Sequence, residues 1–263
     1  MIRESVTKMR LPYPDREDRL VRVWVPAHRE GETFPVVYLT DGQNLFDRKT
    51  STFGCWRTRE AVRAQRQKRG GAAVIVGIHN SDPWRVPDLT PASIGPLEVE
   101  DREFPGVPGG EVFDAFVTET LMPAVEAGFP VKTGRENTAF CGSSMGGLMA
   151  LFTALRHPEL YGAAGVFSPA LMLYRPEDLA AWIRDRSRGE HPWLLLFAGG
   201  ADELEKVIAD YTRQAEAVLR DCWPEDSLRA IYWQEAHHHE TAWERVFRVF
   251  LREFLSRSRD AEI

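Results

Sequence analysis

Gly142-Ser143-Ser144-Met145-Gly146 places a serine two residues from a glycine on either side. That spacing suits a nucleophile elbow, in which a strand stops abruptly, one serine occupies a strained turn and a helix begins at once. The glycines keep side chains out of the crowded turn. The flanks fit: Asn137–Cys141 reads as a short strand and Leu148–Leu155 as an apolar helical stretch. Ser144 is therefore the candidate nucleophile, and the chemistry is attack of a hydroxyl on an acyl carbon. The bland reading of the same residues is a tight turn between a strand and a helix.

A serine hydroxyl attacks at neutral pH only when a histidine takes its proton and a third group orients that histidine. On an open α/β sheet these groups follow the order serine, acid, histidine, each beyond a strand. Asp202 follows the apolar run Trp193–Ala198, and His237-His238-His239 follows Leu228–Trp233. Asp202 is the candidate acid, with Glu203 beside it as the alternative. A carboxylate in that place also caps the next helix. Spacing alone does not choose among the three histidines. Histidine runs can bind metal, but neither an H-E-x-x-H pattern nor a Cys/His set accompanies this one, and no metal or cofactor is expected.

The developing oxyanion needs two backbone N–H groups. Met145, directly after the nucleophile, offers one. The second should come from the loop after an earlier strand, where Asp41-Gly42-Gln43-Asn44 follows the apolar run Pro35–Thr40. The Gln43 N–H is the candidate.

The elements that must hold these groups alternate along the chain. Strands are expected over Arg19–Val25, Pro35–Thr40, Ala72–Ile78, Asn137–Cys141, Gly162–Phe167, Trp193–Ala198 and Leu228–Trp233. Helices are expected over Cys55–Lys68, Glu111–Glu126 with an interruption at Pro123, Pro176–Arg186, Asp202–Arg220 and Glu240–Leu255. The stripe Trp243, Val246, Phe247 and Phe250 recurs at helical spacing and belongs in the core. His79 to Gly110 is long and proline-rich, which reads as an excursion over the active-site face rather than a linker.

The chain has 263 residues, is 43% hydrophobic and 27% charged, and carries a formal charge of −6. These values fit one globular domain spanning 1–263 and speak against a nucleic-acid surface. Three cysteines without paired spacing suggest neither a disulfide framework nor a zinc motif. Neither an apolar signal core near Met1–Arg10 nor a membrane-length apolar stretch is present, so a cytoplasmic protein with no membrane partner is expected.

Together these motifs resemble the Putative esterase family of α/β hydrolases, which includes esterase D-like, enterochelin-esterase-like and feruloyl-esterase-like proteins. The resemblance is carried by Tyr38–Asp47, Val76–Asn80, Cys141–Leu148, Phe167–Ala170 and His238–Trp243. It implies an α/β-hydrolase fold, with a mostly parallel central sheet and helices on both faces. It also implies a serine carboxylesterase acting on a small-molecule ester. The family's His, any residue, Glu, two small residues, Trp pattern places the base at His238, and its acid position matches Asp202. The resemblance further suggests an Arg with an acidic neighbour in the loop after Val76–Asn80. Arg85 with Asp88 answers to this, and Arg85 and Trp84 are the candidate substrate-binding residues. Trp182 is a further aromatic beside the expected pocket. Acyl transfer, thioester cleavage and a non-catalytic ligand-binding fold remain the alternatives to ester hydrolysis, and sequence gives no oligomeric state.

Overall fold

Alternation between apolar runs and amphipathic segments produces, among the described residues, one eight-stranded sheet. The structure is a computed structural model and describes residues 1–51, 53–97 and 106–261. The strands are β1 Ser5–Tyr13, β2 Arg16–Val25, β3 Val36–Leu39, β4 Val74–Ile78, β5 Thr138–Ser143, β6 Ala163–Phe167, β7 Trp193–Gly199 and β8 Leu228–Trp233. Their order across the sheet is β1-β2-β4-β3-β5-β6-β7-β8. β1 and β2 pair antiparallel, as do β2 and β4; every other pair is parallel. β3 to β7 are buried along their whole length. They read as continuous apolar runs because both faces of the sheet are covered.

The covering helices are α1 Thr58–Arg69, α5 Met145–Arg156, α6 Pro176–Arg186, α7 Glu203–Cys222 and α8 Glu240–Asp260, with the short α2 Arg85–Asp88 and a segmented helix between. Strand parity assigns the faces. Trp193 of β7 stacks on Phe250 of α8, whereas Ala198, of opposite parity on the same strand, packs against Ile208 and Ala209 of α7. The arrangement is the α/β-hydrolase fold, and it brings the carboxyl ends of β3, β5, β7 and β8 to one edge.

Two elements differ from the sequence expectation. β1 was not anticipated: it is an edge strand that turns Lys8 and Arg10 to solvent, buries Tyr13 and packs Val6, Met9 and Leu11 part-buried against the core. Pro12 sits where its register with β2 shifts, which suits a residue with no N–H to give the ladder. The expected break at Pro123 is absent. α3 Gly110–Ala115, a π-helical turn Phe116–Leu121 and α4 Met122–Gly128 run on continuously. The wider turn takes up the proline, with the Met122 N–H reaching back to Val117 O. The long loop carries α2 where it leaves β4; its residues 98–105 lie outside the described residues.

Candidate active site

Ser144 closes β5 and precedes α5 with φ 57° and ψ −122°, a conformation that costs a non-glycine residue about 1–3 kcal/mol. The surroundings hold it there. Its N–H donates to Phe167 O at 3.0 Å, and its carbonyl accepts from the N–H groups of Gly147, Leu148 and Ala170. The flanking glycines are steric requirements. A Cβ on Gly142 would lie 2.2 Å from Gly146 O, and one on Gly146 would lie 2.0 Å from Thr40 Oγ1. Thr40 is thus wedged between the two turns of the elbow, its hydroxyl buried. Met145 occupies the first helical position, where its N–H has no carbonyl four residues behind it.

His238 lies in the loop between β8 and α8. Its Nδ1 is 2.7 Å from Oε1 of Glu205. A carboxylate accepts, which favours the tautomer with the proton on Nδ1; in the neutral ring Nε2 is then the bare nitrogen on the far side. Trp243 meets the imidazole edge-on at 5.0 Å and is itself fixed by Nε1 donating to the buried Ser168 Oγ. Glu205 is wholly inaccessible to solvent, and its other oxygen accepts the Gly199 N–H at 2.6 Å.

Asp202, the acid expected from sequence, bonds the His238 main chain and not its ring. It is the N-cap of α7, with Oδ1 accepting the Glu205 N–H at 2.9 Å. Oδ2 accepts the His238 backbone N–H at 3.1 Å and lies 3.2 Å from His237 Nδ1. Burial raises its carboxyl somewhat, but the N–H groups of Glu205 and His238, with His237, hold it below the usual range. The short Asp side chain is consumed at the helix start, while Glu205, one turn inside, is long enough to reach the imidazole. Glu203 points to solvent and pairs with Lys206. A sequence signal for Glu205 existed: it shares the buried stripe of α7 with Ile208, Ala209, Thr212, Ala215 and Leu219, and a carboxylate on such a stripe needs a partner.

Gln43 follows β3 in the turn Gly42–Asn44. Gly42 is needed here, since a Cβ on it would meet the Gly77 backbone at 2.5 Å. Asp41 precedes it in the left-handed region, φ 53°. The Asp41 carboxylate accepts from Arg85 Nε and Nη2, both at 2.7 Å, and from Asn80 Nδ2 at 3.0 Å. Burial pushes this carboxyl up, and the charge and hydrogen bonds of Arg85, with those of Asn80 and Gln43, outweigh it and bring it below the usual value. The Gln43 side chain accepts the Asn80 N–H at 3.3 Å, so the two loops are laced together.

The expected neighbour of Arg85 was Asp88, and the structure corrects this. Asp88 is buried and held by Arg16 and Arg19, which fastens α2 to β2 and leaves Arg85 to Asp41. Trp84 is not in the cleft lining; Arg16 stacks over its ring at 4.0 Å. Trp182 is a core residue stacked on Phe152.

Ser144, His238, Gln43, Asp41, Arg85 and Glu240 line one cleft of about 560 Å³. Glu240 opens α8, is buried, and lies 3.5 Å from Asn44 Nδ2; the sequence reading gave it no role. Phe53, largely exposed, stands on the rim.

A family model described as Putative esterase matches residues 16–254. The chain belongs to that family. This esterase is 29% identical over 220 residues to the ferri-bacillibactin esterase BesA of Bacillus subtilis, covering 76% of its own length and 71% of the relative. It is 30% identical over 161 residues to the siderophore triacetylfusarinine C esterase of Aspergillus fumigatus, covering 59% of its own length and 52% of the relative. Among solved structures, an IroE-like serine hydrolase from Shewanella oneidensis superposes with a TM-score of 0.75 at 20% identity, over 96% of this chain and 80% of the other. That likeness concerns the fold. Family membership supports hydrolysis of carboxylic esters.

Proposed function

We propose that this esterase cleaves its substrate through an acyl-enzyme on Ser144, with His238 as base and Glu205, in place of Asp202, as the acid. One observation carries the reading. A serine in a strained strand-to-helix turn shares a cleft with a histidine whose Nδ1 is held by a buried glutamate, leaving Nε2 to take a proton. Ser144 Oγ attacks the ester carbonyl while Nε2 accepts its proton. The imidazolium is stabilised by Glu205. The Gln43 and Met145 N–H groups receive the oxyanion. The alcohol departs with the proton from Nε2, and water then releases the acid by the same route.

Arg85 is proposed to act through Asp41 on the oxyanion loop, with its Nε and Nη2 donors bound to that carboxylate. The siderophore-ester names of two relatives put esters of that kind first among natural substrates to test. The free cysteines Cys55, Cys141 and Cys222 suit the reducing cytoplasm in which we place the reaction.

The test is hydrolysis of p-nitrophenyl acetate, butyrate and octanoate, and of ferric bacillibactin, by wild type and Ser144→Ala. A serine mechanism requires the variant to lose about 10³-fold or more in kcat on whichever ester is turned over. Equal rates would remove Ser144 from the chemistry.

A further inference from the structure

We infer that Asp202 is a positioning residue that fastens the acid and the base of the site to one another. The inference rests on the serine-hydrolase reading above.

The two oxygens of Asp202 serve different elements. Oδ1 takes the backbone N–H of Glu205, in the first turn of α7. Oδ2 takes the backbone N–H of His238, in the loop after β8. One side chain therefore ties the main chain beneath the acid to the main chain beneath the base. The same loop is held just upstream, where Gly200 and Ala201 both donate to Ala236 O at 3.1 Å. Between these anchors His237 turns outward, more than half exposed, with its ring against the same Asp202 oxygen. With both backbones fixed, the 2.7 Å bond between Glu205 and the imidazole forms without a search, and Nε2 is presented to Ser144 in one orientation. Displacement of a reacting group by about 1 Å costs on the order of 100-fold in rate, which is the scale on which such a tie acts.

Chemistry separates Asp202 from the acid's role. Its lone pairs are spent on main-chain donors and on His237, and the His238 ring nitrogen on this side is already taken by Glu205. Asp202 is also partly open to solvent, whereas Glu205 is sealed from it.

Asp202→Ser isolates the tie. Serine is a good N-cap and retains the bond from the Glu205 N–H, but its single short hydroxyl does not span to the His238 N–H as well. The variant should keep a melting temperature close to wild type. Its kcat should fall about 10- to 100-fold with KM within about twofold, and Glu205→Gln should fall further. Independently of any substrate, the downfield imidazole N–H proton resonance that His238→Ala removes should broaden or vanish in Asp202→Ser. Wild-type kcat together with an unchanged resonance in Asp202→Ser would overturn the inference. So would a larger loss in the Asp202 variant than in Glu205→Gln, which would make Asp202 the acid. Because the resonance is read without ester, a wild type inactive on every ester would count against the function while the tie is still judged.

Discussion

Replacing Glu205 by Gln changes one atom and should remove most of the catalysis. The Gly199 N–H sits 2.6 Å from one carboxylate oxygen and the His238 Nδ1 2.7 Å from the other. A glutamine has one acceptor and one donor end. If its carbonyl serves Gly199, its NH2 faces Nδ1, which must then become an acceptor and push the proton to Nε2. For the proposed mechanism that is the wrong tautomer, since there Nε2 must be bare to take the Ser144 proton. If the amide flips, two donors meet at Gly199 in a solvent-free site, which costs about 1–3 kcal/mol. The first arrangement wins and the enzyme folds. Loss of the orienting acid in comparable triads lowers kcat by about 10⁴, so a fall of about 10³- to 10⁴-fold is expected here, equivalent to about 4–5.5 kcal/mol in the barrier. The assay is steady-state hydrolysis of an activated ester, with the rate of fluorophosphonate labelling at Ser144 as a second reading of nucleophilicity. KM should stay within a few-fold, because Glu205 is sealed beneath the imidazole and does not line the cleft. A kcat within tenfold of wild type would refute the tautomer argument.

Three further outcomes follow from the same geometry. Arg85→Met leaves the Asp41 carboxylate without its cation in a largely buried turn, and breaking such a pair costs up to about 3–5 kcal/mol. A lower melting temperature and a reduced kcat are expected, with stability partly recovered in Asp41→Asn/Arg85→Met; full additivity of the two would show that the residues do not act together. His79 is driven down to about 4, first by burial and then by Arg22 and Lys8. The unfolded chain binds its proton near 6.5 and the native state does not, so stability should fall as pH drops from about 6.5 to 4, by at most about 1.4 kcal/mol per unit. Chemical denaturation of His79→Gln should show a flatter profile in that window, and an unchanged slope would contradict the assignment. His157 has the opposite sign: burial lowers it, but the hydrogen bond and charge of Asp114, with Glu159, raise it overall. Its contribution is complete below about 6.5 and is lost as pH rises through the native value. Asp114→Asn should abolish that loss in a pH series of melting temperatures.

What the chain disclosed in advance was whatever short range determines. The elbow is legible because its glycines lie two residues either side of Ser144 and its strand and helix are contiguous. Pro176–Arg186 and Leu228–Trp233 form over the expected residues because their patterns are strong and their ends are marked. Residues whose partners come from distant segments have different bonding partners from those expected. Arg85 was matched with Asp88, close in sequence, whereas Asp41 across the sheet edge receives it. Asp202 was chosen by its place after a strand, while the buried face of α7 decides which carboxylate reaches the imidazole. β1 escaped notice although Met9, Leu11 and Tyr13 alternate along it and pack against the core, because Lys8, Arg10 and Pro12 between them read as a polar terminus.

The wedge of Thr40 between Gly142 and Gly146 has a consequence for how the elbow can vary. A methyl group at either glycine collides first with the threonine or with the facing turn, so neither position admits alanine while Thr40 keeps its size. A smaller residue at 40 opens room for a methyl at 146. The backbone of the opposite turn still bars one at 142. In a deep mutational scan the three positions should therefore show asymmetric epistasis. A Gly146→Ala defect should be relieved by Thr40→Gly, and a Gly142→Ala defect should persist in every background at 40.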